Sequence, residues 1–326
     1  MVKKPKISIV IAMYNIQSYI AECIMSCLHQ EGVDNDDYEI IIVNDGSTDN
    51  SLSIAEAAIN GMKNARIISQ NNAGVSVARN TGIDHAKGEY IWFADGDDMV
   101  ETFAVRSLID EISKTFCDIY IFNYSSFNKI GVINSSSFAY YKSPLSGKTI
   151  NEDYGRILPN LVWAALYKRE FLIQNNLQFM PDIRHEDDEF TMRANYLAES
   201  VMILRNNLYR YRINDSSFMS RIKRDNTESF ISLIRIRESH NLFWGKTSSF
   251  YNRCRGHRAF LIITARYDSS FNLKCIEKYE QVKYELYLEV LKYSSWKRRL
   301  FLCLIILLPE KYIKWLLTTL RWNEIR

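Results

Sequence analysis

Apolar and polar positions follow a strand–helix rhythm over the first hundred residues. Residues 7–13 form a near-continuous apolar run, suited to a strand buried on both faces. Tyr14 and Asn15 end that run. Ile16, Tyr19, Ile20, Cys23, Ile24, Cys27 and Leu28 then recur at helical spacing. Residues 39–43 read as a second buried strand and residues 66–69 as a short third. Residues 72–98 carry the densest signal. A turn at Asn72, Ala73 and Gly74 leads into a helix bearing Val75, Ala78, Arg79 and Ile83. Gly88 is expected to close that helix in a left-handed conformation. Residues 90–94 read as a buried strand, ending abruptly in Asp95, Gly96, Asp97 and Asp98. This alternation predicts an α/β fold whose parallel sheet has right-handed crossovers. Ligands of such sheets sit beyond the carboxyl ends of the strands. Tyr14–Asn15, Asp45–Gly46–Ser47 and residues 95–98 all fall there.

The pattern then becomes less regular. Residues 118–124 suit another strand, and the Ser- and Asn-rich residues 125–148 suit loops or hairpins. Four acids, Glu186, Asp187, Asp188 and Glu189, precede a helix expected over 191–197, and Tyr209, Arg210, Tyr211 and Arg212 follow. From about residue 225 the spacing is helical. Residues 300–308 are wholly apolar, but these nine cannot span a bilayer that needs about twenty. Lys297, Arg298 and Arg299 precede them. Ile313, Leu316, Leu317 and Leu320 form a further apolar face beside Trp315 and Trp322. Basic, Trp-bearing amphipathic segments lie in the membrane interface, so residues 296–322 are read as a contact for an anionic membrane surface. The alternative is a helix pair packed on its own domain.

Charge sharpens that division. Residues 1–220 hold 20 Lys+Arg against 28 Asp+Glu, a net of −8, and residues 221–326 hold 21 against 10, a net of +11. A basic end region suits a polyanion, with lipid headgroups and nucleic acid as candidates. Six cysteines without a CxxC pair fit reduced thiols in the cytoplasm. The basic N-terminus lacks a signal-peptide cleavage pattern. Neither GxGxxG nor GxxxxGK[ST] occurs, which argues against a dinucleotide Rossmann domain and a P-loop ATPase.

The acidic stretches carry the chemistry. Three carboxylates within residues 95–98 repel one another and cannot be buried unpaired. Their hard oxygens favour Mg²⁺ or Mn²⁺. A solvated turn capping a helix near Glu101 is the alternative. The acids at 186–189 read equally as a helix N-terminus favoured by the macrodipole.

Residues 8–15 (SIVIAMYN), 42–51 (IVNDGSTDNS), 72–98 and 185–190 (HEDDEF) together resemble the inverting glycosyltransferases of glycosyltransferase family 2. The resemblance implies a GT-A nucleotide-diphospho-sugar transferase fold, a mostly parallel central sheet flanked by helices. It places this catalytic domain in residues 1–220, leaving a helical C-terminal region at 221–326. It also implies that Tyr14 and Asn15 edge the base and ribose pocket and that Asp45 contacts the base. Asn72, Gly74 and Arg79 would line the nucleotide-sugar site, Arg79 near phosphate. Asp95 and Asp97 match the family's D-x-D acids, with Asp97 in direct contact with Mn²⁺ or Mg²⁺ and Asp95 nearer the ribose or the metal's waters. Asp187 would be the catalytic base and Glu186 its support. His185, Trp163, Arg210 and Arg212 are weaker candidates for phosphate or acceptor contacts. The chain lacks the QxxRW motif of processive members, so a single transfer is expected. The expected reaction moves one sugar, from a UDP-sugar, to a lipid-diphosphate-linked or oligosaccharide acceptor in capsule, O-antigen or exopolysaccharide synthesis. The expected location is cytoplasmic, peripheral at the inner face of the membrane, with no nucleic-acid partner. A teichoic-acid or protein glycosyltransferase and an inactive nucleotide-binding module are the alternatives.

Overall fold

A computed structural model describes residues 4–138, 140–152, 158–213, 227–244, 259, 262–263, 273–294, 296–307 and 312. The chain divides into two compact units. One comprises Met1–Asp182 with Glu186–Asp215, the other Ile183–His185 with Ser216–Arg326.

The first unit is built on a nine-stranded sheet. Its first half alternates β1 (Ile7–Met13), α1 (Ile20–Leu28), β2 (Tyr38–Asp45), α2 (Ser51–Ala58), β3 (Ala65–Gln70), α3 (Val75–His85) and β4 (Tyr90–Asp95). The strands β3-β2-β1-β4 are mutually parallel. Every residue of β2 is buried and β1 is nearly so, as continuous apolar runs require of strands covered on both faces. Register does the positioning. Met13 lies opposite Asn44, Ala12 opposite Asp95, and Asp45 opposite Gln70. Three polar strand ends are thereby brought to one edge of the sheet.

Beyond β4 the sheet is mixed. It contains β5 (Met99–Val100), β6 (Ile119–Asn128), β7 (Gly131–Ser135), β8 (Ala165–Lys168) and β9 (Val201–Arg212), with α4 (Ala104–Lys114), α5 (Gly147–Glu152), α6 (Arg169–Gln174) and α7 (Glu186–Leu197) between them. A 3-10 turn, Val162–Ala164, precedes β8. The strand β8 runs antiparallel to both β4 and β6, while β9 is parallel to β6. Trp92 of β4 packs edge-on against Phe122 of β6, with ring centroids 5.2 Å apart, and its indole N–H donates to the Trp163 carbonyl at 2.9 Å. Each such fully buried large side chain contributes roughly 1.5–3 kcal/mol by leaving water.

Gly88 differs from expectation. The helix α3 ends at His85 with an extended Ala86 at φ −65° and ψ 133°, and Gly88 is absent from the positive-φ positions. Its role is close approach. Its N–H donates to Ser8 Oγ at 2.8 Å, and a Cβ there would come within 2.6 Å of Ser8 N and Oγ. Beside it, the buried Glu39 carboxylate accepts from Ser8 Oγ and the Lys87 N–H, each at 2.6 Å, and from Arg66. Gly88→Ala is expected to cost about 1–3 kcal/mol by overpacking, read as a lowered urea midpoint with an unchanged slope.

The second unit contains α8 (Thr227–Trp244), α9 (Leu273–Tyr293) and α10 (Trp296–Leu307). Phe230, Ile234, Tyr279, Leu286, Val290 and Leu302 form its core. The buried Arg237 pairs with Glu285 at 2.7 Å and Glu289 at 2.6 Å. Ile276, Tyr284, Leu288, Leu291, Leu300, Ile306 and Leu307 are exposed. Among the described residues no helix is long and apolar enough to cross a membrane. The apolar face at Ile313, Leu316, Leu317 and Leu320, with Trp315 and Trp322, lies outside the described residues.

Candidate active site

The loop after β2 folds around Asp45. Both of its carboxylate oxygens are engaged: Oδ1 accepts from Gln70 Nε2 at 2.7 Å and the Ala73 N–H at 2.9 Å, and Oδ2 accepts from the Gly74 N–H at 2.8 Å. Asn72 Nδ2 donates to the Asp45 carbonyl at 3.0 Å. The aspartate thus clasps the turn that starts α3. Gly46, at φ +69°, makes the clasp possible, because a Cβ there would lie 2.7 Å from the Asn72 backbone nitrogen. Gly46→Ala is expected to open the turn and lower the melting temperature, which differential scanning calorimetry checks. Asn15, at φ +50°, organises the neighbouring loop. Its Oδ1 accepts the Thr48 N–H at 2.8 Å and its Nδ2 donates to Thr48 Oγ1 at 3.2 Å. Tyr14 stands next to it, 47% exposed, a free aromatic surface at the end of β1.

The acidic end of β4 meets α7 through one residue. Arg79, on α3, is 3% exposed. Its Nη2 donates to Asp95 Oδ1 at 2.8 Å, and its Nη1 donates to Glu186 Oε1 at 2.9 Å and Asp187 Oδ1 at 2.6 Å. The Phe179 ring covers it, 5.2 Å from the guanidinium carbon to the ring centroid. The four acids at 186–189 form the first turn of α7, which starts five residues earlier than sequence spacing indicated. They are not a uniformly solvated terminus. Glu189 is buried and paired with Arg193 at 2.6 Å, whereas Glu186 and Asp187 turn to Arg79. Burial pushes the Asp187 carboxyl up to about 7, Arg79 opposes that, and Glu186 and Asp95 add to it.

Asp97 and Asp98 have different surroundings. Asp98 is buried, accepting the Tyr209 hydroxyl at 2.9 Å and the Arg212 N–H at 2.7 Å. The Tyr209 oxygen in turn accepts the Asp95 N–H at 3.0 Å. Arg212 reaches the Asp97 carbonyl through Nε at 2.7 Å and Glu22 through Nη2 at 2.6 Å. The Asp97 side chain has no ion-pair partner among the described residues. Burial and the Asp95 charge push its carboxyl up to about 6. These acids do not cap α4, whose N-cap is Phe103 without a side-chain bond.

Glu186, Asp187, Arg79 and Asp95 therefore form one cluster, with Asp97 next in the same turn. Asp45, Asn72, Gly74 and Asn15 form a second, at the ends of β1 and β2. Arg79, expected near phosphate, has both terminal nitrogens committed to carboxylates. Trp163 is 5% exposed and stacks on Tyr209 at 4.7 Å and Tyr211 at 5.4 Å between centroids, so it packs in the core rather than presenting a face to an acceptor. The contribution of Glu22 had no signal in the sequence, and Tyr209 was noted only as part of the run 209–212, without a role. Glu22 meets Arg212 across 190 positions, and Tyr209 stands in an otherwise ordinary strand.

A family model described as Glycosyl transferase family 2 matches residues 8–174, just over half of the chain. The chain belongs to glycosyltransferase family 2. Relatives of this family 2 member include EpsJ of Bacillus subtilis (strain 168), an uncharacterized glycosyltransferase 38% identical over 218 residues, spanning 65% of this chain and 62% of EpsJ. EpsH of the same strain, a putative glycosyltransferase, is 33% identical over 234 residues, covering 70% of this chain and 67% of EpsH. This chain thus spans less than two thirds of EpsJ. Among solved structures, residues 1–349 of TarS from S. aureus, in complex with UDP-GlcNAc, align with a TM-score of 0.67 at 20% identity, over 87% of this chain and 81% of that one. The mannosyltransferase PcManGT from Pyrobaculum calidifontis, in complex with GDP-Man and Mn²⁺, aligns at 0.56 and 13% identity, over 95% and 83%. At those identities the likeness concerns the fold, and the family 2 member has the GT-A fold expected from its motifs.

Proposed function

We propose that this family 2 member transfers one sugar from a UDP-sugar to a hydroxyl of a glycan acceptor, with inversion at the anomeric carbon. The observation that carries the reading is the Arg79-centred cluster, which sets the acids of α7 against the acidic end of β4. Asp187 is the base. Its carboxyl, pushed up to about 7, matches proton transfer near neutral pH. As the acceptor oxygen bonds to the anomeric carbon, the bond to the diphosphate oxygen breaks and Asp187 takes the hydroxyl proton. Glu186, on the same guanidinium nitrogen, orients the acceptor or Asp187 itself. Exposed Tyr14 and the turn clasped by Asp45, with Asn15, Asn72 and Gly74, hold the base and ribose.

Asp97 and Asp95 are the residues that would hold a divalent cation, with substrate phosphate completing the ligand set, since the described residues contain no cluster of three metal-ligating side chains. Asp97 offers a hard carboxylate without an ion-pair partner among the described residues, and Asp95 bonds Arg79 through Oδ1 alone. When bound, Mn²⁺ or Mg²⁺ stabilises the charge that develops on the leaving diphosphate. A Mn²⁺ complex of PcManGT and a UDP-GlcNAc complex of TarS support this choice of cofactor and donor.

The acceptor reading is a lipid-diphosphate-linked oligosaccharide used for a surface polysaccharide. Lys297, Arg298 and Arg299, followed by exposed Leu300, Ile306 and Leu307 on α10, suit the anionic inner face of a cell membrane. Residues 1–220 would then be the catalytic domain, and residues 221–326 the attachment to that surface. A teichoic-acid acceptor is the second reading, favoured by two relatives that are poly(ribitol-phosphate) glycosyltransferases.

The test is a calorimetric screen of UDP-, GDP- and dTDP-sugars with and without Mn²⁺. Tight binding of one UDP-sugar in the presence of Mn²⁺ is the expected result. No binding of any sugar nucleotide would remove the reading.

A further inference from the structure

On the reading of Asp187 as the base, we propose that Arg79 is a positioning residue, tying Asp187 and Glu186 to Asp95 so that the base is aimed and ionised by the same cation that holds the end of β4. One guanidinium serves three carboxylates, at 2.6 Å to Asp187, 2.8 Å to Asp95 and 2.9 Å to Glu186. Its seat is fixed from both sides. Asn80, the next residue on α3, donates through Nδ2 to the Phe179 carbonyl at 2.9 Å and accepts the Phe179 N–H at 2.8 Å. That reciprocal pair holds the Phe179 ring over Arg79.

Groups from five elements face Asp187. Asp95 comes from β4, Glu186 precedes Asp187 on α7, Tyr167 comes from β8, the Val162 N–H comes from the 3-10 turn, and Arg79 comes from α3. Burial, Glu186 and Asp95 favour the neutral carboxyl. Against them, Arg79 and the Val162 N–H favour the carboxylate, and of these two Arg79 is the cation. Arg79 also tolerates a cost, since its buried Nε–H has no acceptor among the described residues. An unsatisfied buried donor is destabilising, which suits a residue whose use is charge and direction rather than packing alone.

A purely structural arginine would join α3 to α7 and nothing more. Its loss would change stability without changing how Asp187 titrates. The two roles separate in a ¹³C NMR titration of the full chain labelled at aspartate carboxyls, with the Asp187 signal assigned by its loss in Asp187→Asn. In the unsubstituted protein the midpoint is expected at about 7. In Arg79→Met it is expected to rise by about one to three pH units, the range by which a neighbouring arginine ordinarily lowers an aspartate. Arg79→Lys, which keeps the cation, should move it less than half as far. An Asp187 midpoint unchanged in a cooperatively folded Arg79→Met protein would overturn the proposal. Should Arg79→Met not fold, Asp95→Asn supplies the second arm. Freed of Asp95, Arg79 serves the α7 acids alone, and the midpoint should fall below that of the unsubstituted protein; no change would overturn the tie between the two halves. The titration needs no substrate. Failure to turn over a sugar nucleotide would count against the proposed function, whereas an unresponsive Asp187 counts against the role of Arg79.

Discussion

Asp187→Asn is expected to lower sugar transfer by about 10²–10⁴-fold, the usual contribution of a positioned general base, while UDP binds as before. The amide keeps the shape of the carboxylate and one acceptor for Arg79, but it cannot take a proton from the acceptor hydroxyl. The residues proposed to hold the nucleotide, Asp45 with its clasped turn and Asn15 with its loop, make none of their bonds to Asp187. Loss of rate with intact binding is therefore the signature of this role. The unsubstituted protein should also show an acid limb in kcat/KM with a midpoint at about 7, because the base must be ionised. Stability should move the opposite way. Asp187 holds its proton more tightly in the folded chain than in the unfolded one, so its cost to stability grows as pH rises from the ordinary aspartate range to about 7. Above that pH, Asp187→Asn should melt no lower than the unsubstituted protein.

Asp97→Ala is expected to abolish the dependence of nucleotide binding on Mn²⁺. In the unsubstituted protein, Mn²⁺ with UDP should raise the melting temperature at pH 7.5. A ligand at a hundred times its dissociation constant stabilises by about 2.7 kcal/mol. At pH 5 the effect should shrink, because a carboxyl pushed up to about 6 is then mostly protonated and a poor ligand. Without metal, the alanine variant should be at least as stable at pH 7.5. The folded-state proton affinity of Asp97 exceeds its unfolded value, so its ionisation costs stability across the interval up to about pH 6, and the full cost persists above it. Differential scanning calorimetry with and without Mn²⁺ and UDP, at both pH values, checks each statement. A Mn²⁺ response retained by Asp97→Ala would move the cation elsewhere.

The parallel half of the sheet was legible in the sequence because its signals are local. A two-sided buried strand such as Ile7–Met13 writes itself as an unbroken apolar run, and the polar residues that follow it mark the ligand edge. The sheet beyond β4 was less legible. Its antiparallel partners are short and separated by the irregular stretch after β6, so pairing depends on contacts that no local period encodes. Gly88 shows how a correct residue can carry the wrong reason. Glycine after a helix suggests a left-handed cap, but here the absent Cβ makes room for Ser8, eighty positions away. The candidate acids were found by motif, yet no local pattern indicated that Arg79 would join Asp95 to residues more than a hundred positions further on. That pairing needs the packing of α3, β4 and α7 to exist first.

Sugar transfer with Asp187 as base is tested by release of nucleoside diphosphate from a panel of UDP-sugars, supplied with Mn²⁺ and an oligosaccharide-diphosphate-lipid acceptor. The protein and its Asp187→Asn variant would be compared at pH 7.5. Acceptor-stimulated release of UDP from one sugar nucleotide is expected, lost in the variant although UDP still binds it. Equal release by both proteins would contradict the assignment of the base, and no release from any sugar nucleotide would contradict the proposed transferase activity.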